Sequence, residues 1–349
     1  MMEFSKYKFW FLIPILAIPI AVSDNFIVRE RPSADIHIEG PKLIIDHDGG
    51  ADDAMAIFMA LIYEQYFNGP KVIGLTTTHG NVDETQSFYN SQRLLDIAGR
   101  PEVPIYRGSN FSLVISVPSD FYFGHDGLGD NDHEEIKPID AQPQHAALSF
   151  IELTNKYPGE ITIVALGALT NIALAIRLDS TFISRLSHMY VAAGHVYSPE
   201  YSSPEYNAEQ DAESYYVIAK NAYPEKITFV PFSQVDSLNV SKEWRQDVLG
   251  AIPTKIINSL NKFERISMNA SDSLQWSLLD PIAMGIVLNK SIVSDVKYSK
   301  NSIILCGDRR GINTNEFTIK EDANARLVNG VFKEEYQNLL FSIFSAELC

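Results

Sequence analysis

Apolar runs and amphipathic stretches alternate along most of the chain. Leu43–Ile45 is a short apolar run that reads as a buried strand, and Ala51–Tyr66 reads as a helix. The pairing then recurs. Lys71–Thr77 is strand-like before a helical Asp83–Ala98, and Val103–Tyr106 suits a short strand. Helical Ala146–Lys156 precedes strand-like Ile161–Leu166; helical Leu169–Leu178 precedes strand-like Met189–Ala193; helical Asp211–Asn221 precedes strand-like Ile227–Val230. Residues 242–290 are mostly helical in pattern, with strands expected at 293–298 and 302–305. Two stretches break the rhythm: Phe111–Pro143, rich in Gly, Asp and Pro, and Val196–Asn207, with three tyrosines and two prolines. A loop of the length of the first inside a compact domain is usually functional or mobile. Repeated βα units predict an α/β single domain with a mostly parallel central sheet flanked by helices. Ligands of such sheets bind beyond the carboxyl ends of the strands.

The first strand-to-helix turn carries the chemistry. Asp46, Asp48, Asp52 and Asp53 fall within eight residues, and Gly49 and Gly50 permit a tight turn between them. Asp52 and Asp53 enter the first helical turn, where the helix dipole tolerates negative charge. Four carboxylates at close range need a cation, or a raised pKa on one member. Oxygen donors suit Ca²⁺ or Mg²⁺ better than zinc. The blander reading, ordinary helix-start carboxylates, fits one aspartate better than four.

An Asp-x-Asp-Gly after a strand has two readings. One is a haloacid-dehalogenase type of phosphatase, with the first Asp as nucleophile. The other is the nucleoside hydrolase fingerprint Asp-x-Asp-x-Gly-x-Asp-Asp-Ala. The segment Asp46-His-Asp48-Gly-Gly50-Ala-Asp52-Asp53-Ala54 matches every fixed position of the second, and the double Asp has no place in the first. The resemblance to the nucleoside hydrolase family, of the inosine-uridine preferring kind, continues downstream. Gly74-Leu-Thr-Thr-Thr-His-Gly80-Asn81 resembles its second strand, and Tyr122-Phe-Gly-His-Asp-Gly-Leu-Gly129 its glycine-rich loop. Ala165-Leu-Gly-Ala-Leu-Thr-Asn171 is similar to its strand-to-helix turn. Pro204-Glu205-Tyr-Asn207 resembles its ribose-binding motif, and Leu279-Asp280-Pro281 its final Asp-Pro. The matches span about residues 42–290 in the family's order.

The resemblance implies an open Rossmann-type core and hydrolysis of an N-ribosidic bond. It implies a Ca²⁺ cofactor held by Asp48, Asp53, Asp280 and the Leu166 carbonyl, with Asp52 as the base and Asp46 orienting the cluster. Asn81, Glu205 and Asn207 would hydrogen-bond the ribose hydroxyls, and 2′-deoxyribose would leave them unpaired. Simpler roles stay open: a cap on the next helix for Asn81, a helix start for Asp280, solvated loop residues for Glu205 and Asn207. The sequence departs from the family at the base end. Leu279 stands where many members carry an acidic His, Pro199 where an Asn is frequent, and Ala192 where a Met packs under the ribose. Stacking would then fall to Tyr122, Tyr197, Tyr201, Tyr206 or Trp276, and leaving-group contacts to His125 or His195. The expectation is a purine ribonucleoside. The alternative is a non-catalytic Ca²⁺-dependent ribonucleoside-binding or scaffold protein of the same fold; retention of Asp52 favours the enzyme.

Composition changes this picture in two ways. The net charge of −16 and pI near 4.9 exclude nucleic acid and anionic membranes as natural partners, leaving a small molecule, with homo-oligomerisation open. The N-terminus carries Lys6 and Lys8, an apolar Phe9–Val22 broken by Pro14 and Pro19, and small residues at Ala21–Ser23. This predicts a signal peptide over 1–23, a lead-in over 24–40, a domain over 41–349, and a secreted protein. Cys306 and Cys349 are the two cysteines and a candidate pair in an oxidising compartment. Sequons at Asn110, Asn239, Asn269 and Asn289 agree with secretion.

Overall fold

The computed structural model describes residues 40–131, 135–196 and 203–348. The expected signal peptide, most of the lead-in, Tyr197, Pro199, Tyr201 and Cys349 lie outside the described residues.

The strands are β1 (Lys42–His47), β2 (Lys71–Thr77), β3 (Ile105–Tyr106), β4 (Ile161–Ala165), β5 (His188–Ala192), β6 (Ile227–Val230), β7 (Val293–Ile303), β8 (Asn313–Phe317) and β9 (Ala325–Val331). They form one sheet in the order β3-β2-β1-β4-β5-β6-β9-β7-β8. All pairings from β3 to β9 are parallel, and β7 pairs antiparallel with both β9 and β8. The parallel order follows from apolar strands separated by helices, as the alternation predicts.

Side chains of β1 alternate between two cores. Leu43 and Ile45 join the core made with α1 (Ala51–Phe67) and the helix Asp280–Leu288, while Ile44 joins the core made with α3 (Ala146–Lys156) and α4 (Thr170–Leu178). Helix α1 is buried almost continuously from Ala54 to Ile62 because it is sandwiched between the sheet and other helices. Helix α2 (Glu84–Ile97) starts where Asp83 accepts a hydrogen bond from the Gln86 amide at 2.8 Å. That cap frees Asn81 from the role.

The chain runs outward from β1 through β2 to β3, then returns to β4 on the other side of β1. The carboxyl ends of β1 and β4 therefore flank a topological switch point, where open α/β sheets bind ligands. The C-terminal region departs from the expected pattern. The strand anticipated at 293–298 and the start of that at 302–305 belong to one long strand, β7, which runs through the polar Ser299, Lys300, Asn301 and Ser302 and ends at Ile303. Strands β8 and β9 and the helix Lys333–Ser345 had no reading in the sequence.

Candidate active site

The acidic turn folds back on itself through its own backbone. Asp53 accepts from the Gly50 amide at 2.7 Å and from the Asp48 amide at 3.3 Å, so its carboxylate closes the loop that carries its neighbours. Gly49 sits at φ 85°, a conformation that side chains rarely adopt. Gly80 is required for another reason: a Cβ there would collide with the Asp48 carboxylate. In return, the Asn81 amide donates to Asp48 Oδ2 at 2.9 Å, locking the end of β2 to the turn.

Asp46 is fully buried beneath this turn. Thr76 Oγ1 donates to its Oδ1 at 2.6 Å and Asn171 Nδ2 at 2.9 Å. Asn171 also donates to the Thr77 carbonyl at 2.9 Å and accepts from the Ser109 amide at 2.8 Å. It ties three strand ends together from the start of α4. The motif that contains Asn171 carries no sign of this role in the sequence.

Asp52, Asp53 and Asp280 present carboxylate oxygens within 4.8 Å of one another. Asp48 adjoins this trio through Asp53 without belonging to it at that spacing. Asp280 arrives from the far end of the chain, opening its helix with Pro281 at the next position. Burial drives the carboxyl pKa of Asp48, Asp53 and Asp280 well above the ordinary range, reinforced by the neighbouring carboxylates. Burial likewise pushes Asp46 and Asp52 up to about 7, and for Asp52 the charges of Glu264 and Asp120 add to it. Such a cluster is unstable as free anions and suited to a cation. Its donors are all oxygen, the set that Ca²⁺ or Mg²⁺ takes.

Above the carboxylates opens a cavity of about 240 Å³. Asp52, Asp280, Leu166, Asn81, Glu205 and Asn207 form the lining nearest in sequence and contact to the carboxylate cluster, termed its lower part. Glu205 caps the short helix Tyr206–Gln210, accepting from the amides of Gly194 at 2.8 Å and of Asn207 and Ala208 at 3.0 Å each. It is therefore no solvated loop residue; burial pushes it up to about 7. Asn207 Nδ2 donates to the Leu166 carbonyl at 2.7 Å and the Ala192 carbonyl at 2.9 Å. The Leu166 carbonyl keeps a second lone pair for another partner.

The rest of the lining, termed its upper part, is Asp120, Tyr122, Phe123, Tyr206, Phe232, Ser277 and Leu279. Tyr206 donates its hydroxyl to the Gly80 carbonyl at 2.9 Å, so only its ring faces the opening. Trp276 must be reassigned. It does not line the cavity: it is buried in the core, and its indole donates to Glu264 Oε2 at 2.8 Å. His125 also lies elsewhere, on the wall of a neighbouring recess, against Phe121. His195 is buried behind the lining, edge-on to Phe232 at 6.2 Å, and burial lowers its pKa to about 4. Asp120 and Phe232 were missed, and Phe123 stood in the glycine-rich loop without a role of its own. They come from loops without periodicity, which offer no pattern to read.

Comparison with known proteins agrees with this geometry. The family described as inosine-uridine preferring nucleoside hydrolase matches residues 43–338. Uridine nucleosidase 1 of Arabidopsis thaliana is 34% identical over 74% of this chain and 77% of its own length. Probable uridine nucleosidase 2 of Oryza sativa subsp. japonica is 40% identical over 50% of this chain and 51% of its own length, so the match spans about half of that relative. A solved plant nucleoside hydrolase superposes with a TM-score of 0.77 at 28% identity, over 88% of this chain and 99% of that one.

Proposed function

We propose that this chain, which belongs to the inosine-uridine preferring nucleoside hydrolase family, hydrolyses the N-glycosidic bond of a ribonucleoside to free base and ribose. One observation carries the reading: three carboxylates, half-buried Asp52 and buried Asp53 and Asp280, converge at a cavity whose walls present Asn81, Glu205 and Asn207. Asp48, Asp53, Asp280 and the Leu166 carbonyl are the donors that would hold a Ca²⁺ ion, with Asp52 close enough to share it. When bound, such an ion acidifies water and gathers several oxygen ligands.

The chain's own groups then divide the work. Glu205, held rigid by three backbone amides, and Asn81 grip ribose hydroxyls and orient the sugar. Asp52 faces the cavity and takes the proton of the attacking water. Asp48, buried next to Asp53 and with its Oδ2 held by the Asn81 amide, is the competing acceptor. The test is ribonucleoside against 2′-deoxyribonucleoside. Loss of one hydroxyl should cost at least a hundredfold in kcat/KM, since buried polar groups would be left unpaired. Equal cleavage of both sugars would contradict the ribose assignment.

At the base end, aromatic rings and Leu279 replace an acidic His. This supports a purine leaving group, which stacks over a larger area than a pyrimidine. A second reading, uridine, is favoured by the names of the plant relatives. The ratio of kcat/KM for inosine and uridine separates them. We also propose secretion, on the N-terminal pattern. Mass spectrometry of exported protein should find a chain starting near Asp24; an intact Met1 would refute it.

A further inference from the structure

Beside the catalytic cavity lies a second recess of about 410 Å³. The wall between them is thin. Ser119 Oγ donates to the Asn81 carbonyl, and the Tyr206 hydroxyl donates to the Gly80 carbonyl. Ser119 and Gly80 face the recess, while Asn81 and Tyr206 face the cavity.

The recess contains an unusual group. Gln210 lines it and is fully buried, and among the described residues neither atom of its carboxamide has a hydrogen-bond partner. An apolar side chain of the same volume would avoid the cost of desolvating that amide. Its main-chain carbonyl, by contrast, is satisfied by Ser112 Oγ at 2.6 Å. His79 lines the same recess. Its Nε2 lies 3.2 Å from Thr170 Oγ1, and Thr170 donates its own proton to Asp211 Oδ2 at 2.6 Å. Thr170 must therefore accept from Nε2–H, which leaves His79 Nδ1 as an acceptor. Phe121, also on the wall, holds a left-handed φ of 55°, a strained conformation for a bulky residue. Its ring sits 4.4 Å from that of His125.

We propose that this recess is a second binding site, and that its ligand is a free nucleobase. A rotation of the Gln210 side chain, whose carboxamide is shielded from solvent in this structure, would offer a donor and an acceptor side by side, the complement of an amide or amidine edge on a planar heterocycle. His79 Nδ1 accepts a ring N–H. Phe121 and His125 supply aromatic faces for stacking. The chain's charge of −16 and Asp83 on the recess wall disfavour phosphorylated ligands. Naming the ligand a nucleobase rests on the nucleosidase reading; the recess and its unpartnered amide do not. A base held there sits next to the cavity without occupying it. It would inhibit turnover without competing directly with nucleoside.

The test uses the full chain and two probes, hypoxanthine and uracil, by titration calorimetry and by inhibition kinetics. The wild type should bind one of these bases at two sites per chain and show mixed inhibition. Gln210→Met should weaken one site at least tenfold and make inhibition competitive, with kcat/KM for nucleosides unchanged within about twofold. It should also melt no lower than wild type, because a desolvated amide is gone. Phe121→Ala, at an exposed position, should weaken the same site several-fold and covers the case in which the first variant fails to fold. Purely competitive inhibition in the wild type, or base binding unchanged in both variants, overturns the proposal. Two-site base binding without nucleoside cleavage would sink the nucleosidase reading and leave this one standing.

Discussion

The lower and upper halves of the cavity are built in opposite ways. The lower half comes from strand ends and helix starts, and its polar side chains are bound to backbone: Asp53 to Gly50 and Asp48, Glu205 to three amides, Asn207 to two carbonyls. The upper half comes mostly from loops, and its residues are mainly aromatic or apolar, with Asp120 the charged exception and Tyr122 over a third exposed. The first arrangement holds charge in fixed positions at a cost in folding stability. The second holds shape. Chemistry that must place charge to within an ångström belongs on the first; discrimination between flat rings can sit on the second.

The largest effect should follow a break in the lower half. Asp53→Ala removes a cation donor and the bonds that close the acidic turn. Turnover should fall by roughly a thousandfold or more, on the scale of losing a central electrostatic group, and calorimetry should show Ca²⁺ affinity falling sharply. Unchanged Ca²⁺ binding would remove Asp53 from the site.

Next comes the base. Asp52→Asn should retain nucleoside binding and lose about 10²- to 10⁴-fold in kcat, the usual range for a lost proton acceptor. If Asp48→Asn shows that loss instead and Asp52→Asn raises mainly KM, the roles of the two are exchanged.

The same half makes the fold depend on pH. Asp46, Asp52 and Glu205 titrate near 7 in the fold, against 3.8 and 4.5 when unperturbed. Their folded values are raised, so their contribution to stability is complete below about pH 4 and is lost as pH rises through about 7. Chelated protein should therefore melt lower at pH 8 than at pH 5. Calcium at a hundred times its Kd adds about 2.7 kcal/mol, so it should restore several degrees at pH 8 and less at pH 5, where protons compete. A Tm insensitive to calcium at pH 8 would refute the coupling. The buried His47 and half-buried His188, lowered to about 3 and 4, act in the opposite sense and destabilise only towards acid.

The smallest effect should come from the upper half. Tyr122→Ala removes a stacking ring and should cost tenfold to a hundredfold in kcat/KM, from about 1–3 kcal/mol per stacked base. It should change the inosine-to-uridine ratio while leaving calcium affinity alone. A change in calcium affinity would show that the two halves are not separable.

What the sequence disclosed follows the same division. The acidic turn was legible because its strand, glycines and carboxylates are contiguous, so local geometry brings them together. Asn81 was legible through a motif at another strand end, which the parallel sheet aligns at the same edge, and Asp280 through the Asp-Pro that starts its helix. Trp276 was misplaced because an aromatic in a loop carries no sign of which way it faces; its indole turned inward to Glu264. Asp120 and Phe232 were invisible because only tertiary packing brings them to the opening. Strands β8 and β9 were missed because β8 is half exposed and polar and β9 is interrupted by Asn329 and Gly330, which weakens alternation.

The central claim is that the converging carboxylates act through a bound cation on a ribonucleoside. The most direct measurement is free base released from inosine and uridine by the purified full chain, before chelation, after it, and after calcium is restored. Release from at least one of the two, abolished by chelator and recovered with calcium, is the predicted result. Release that survives complete removal of the metal, or no release from any ribonucleoside while calcium and nucleoside both bind, would contradict it.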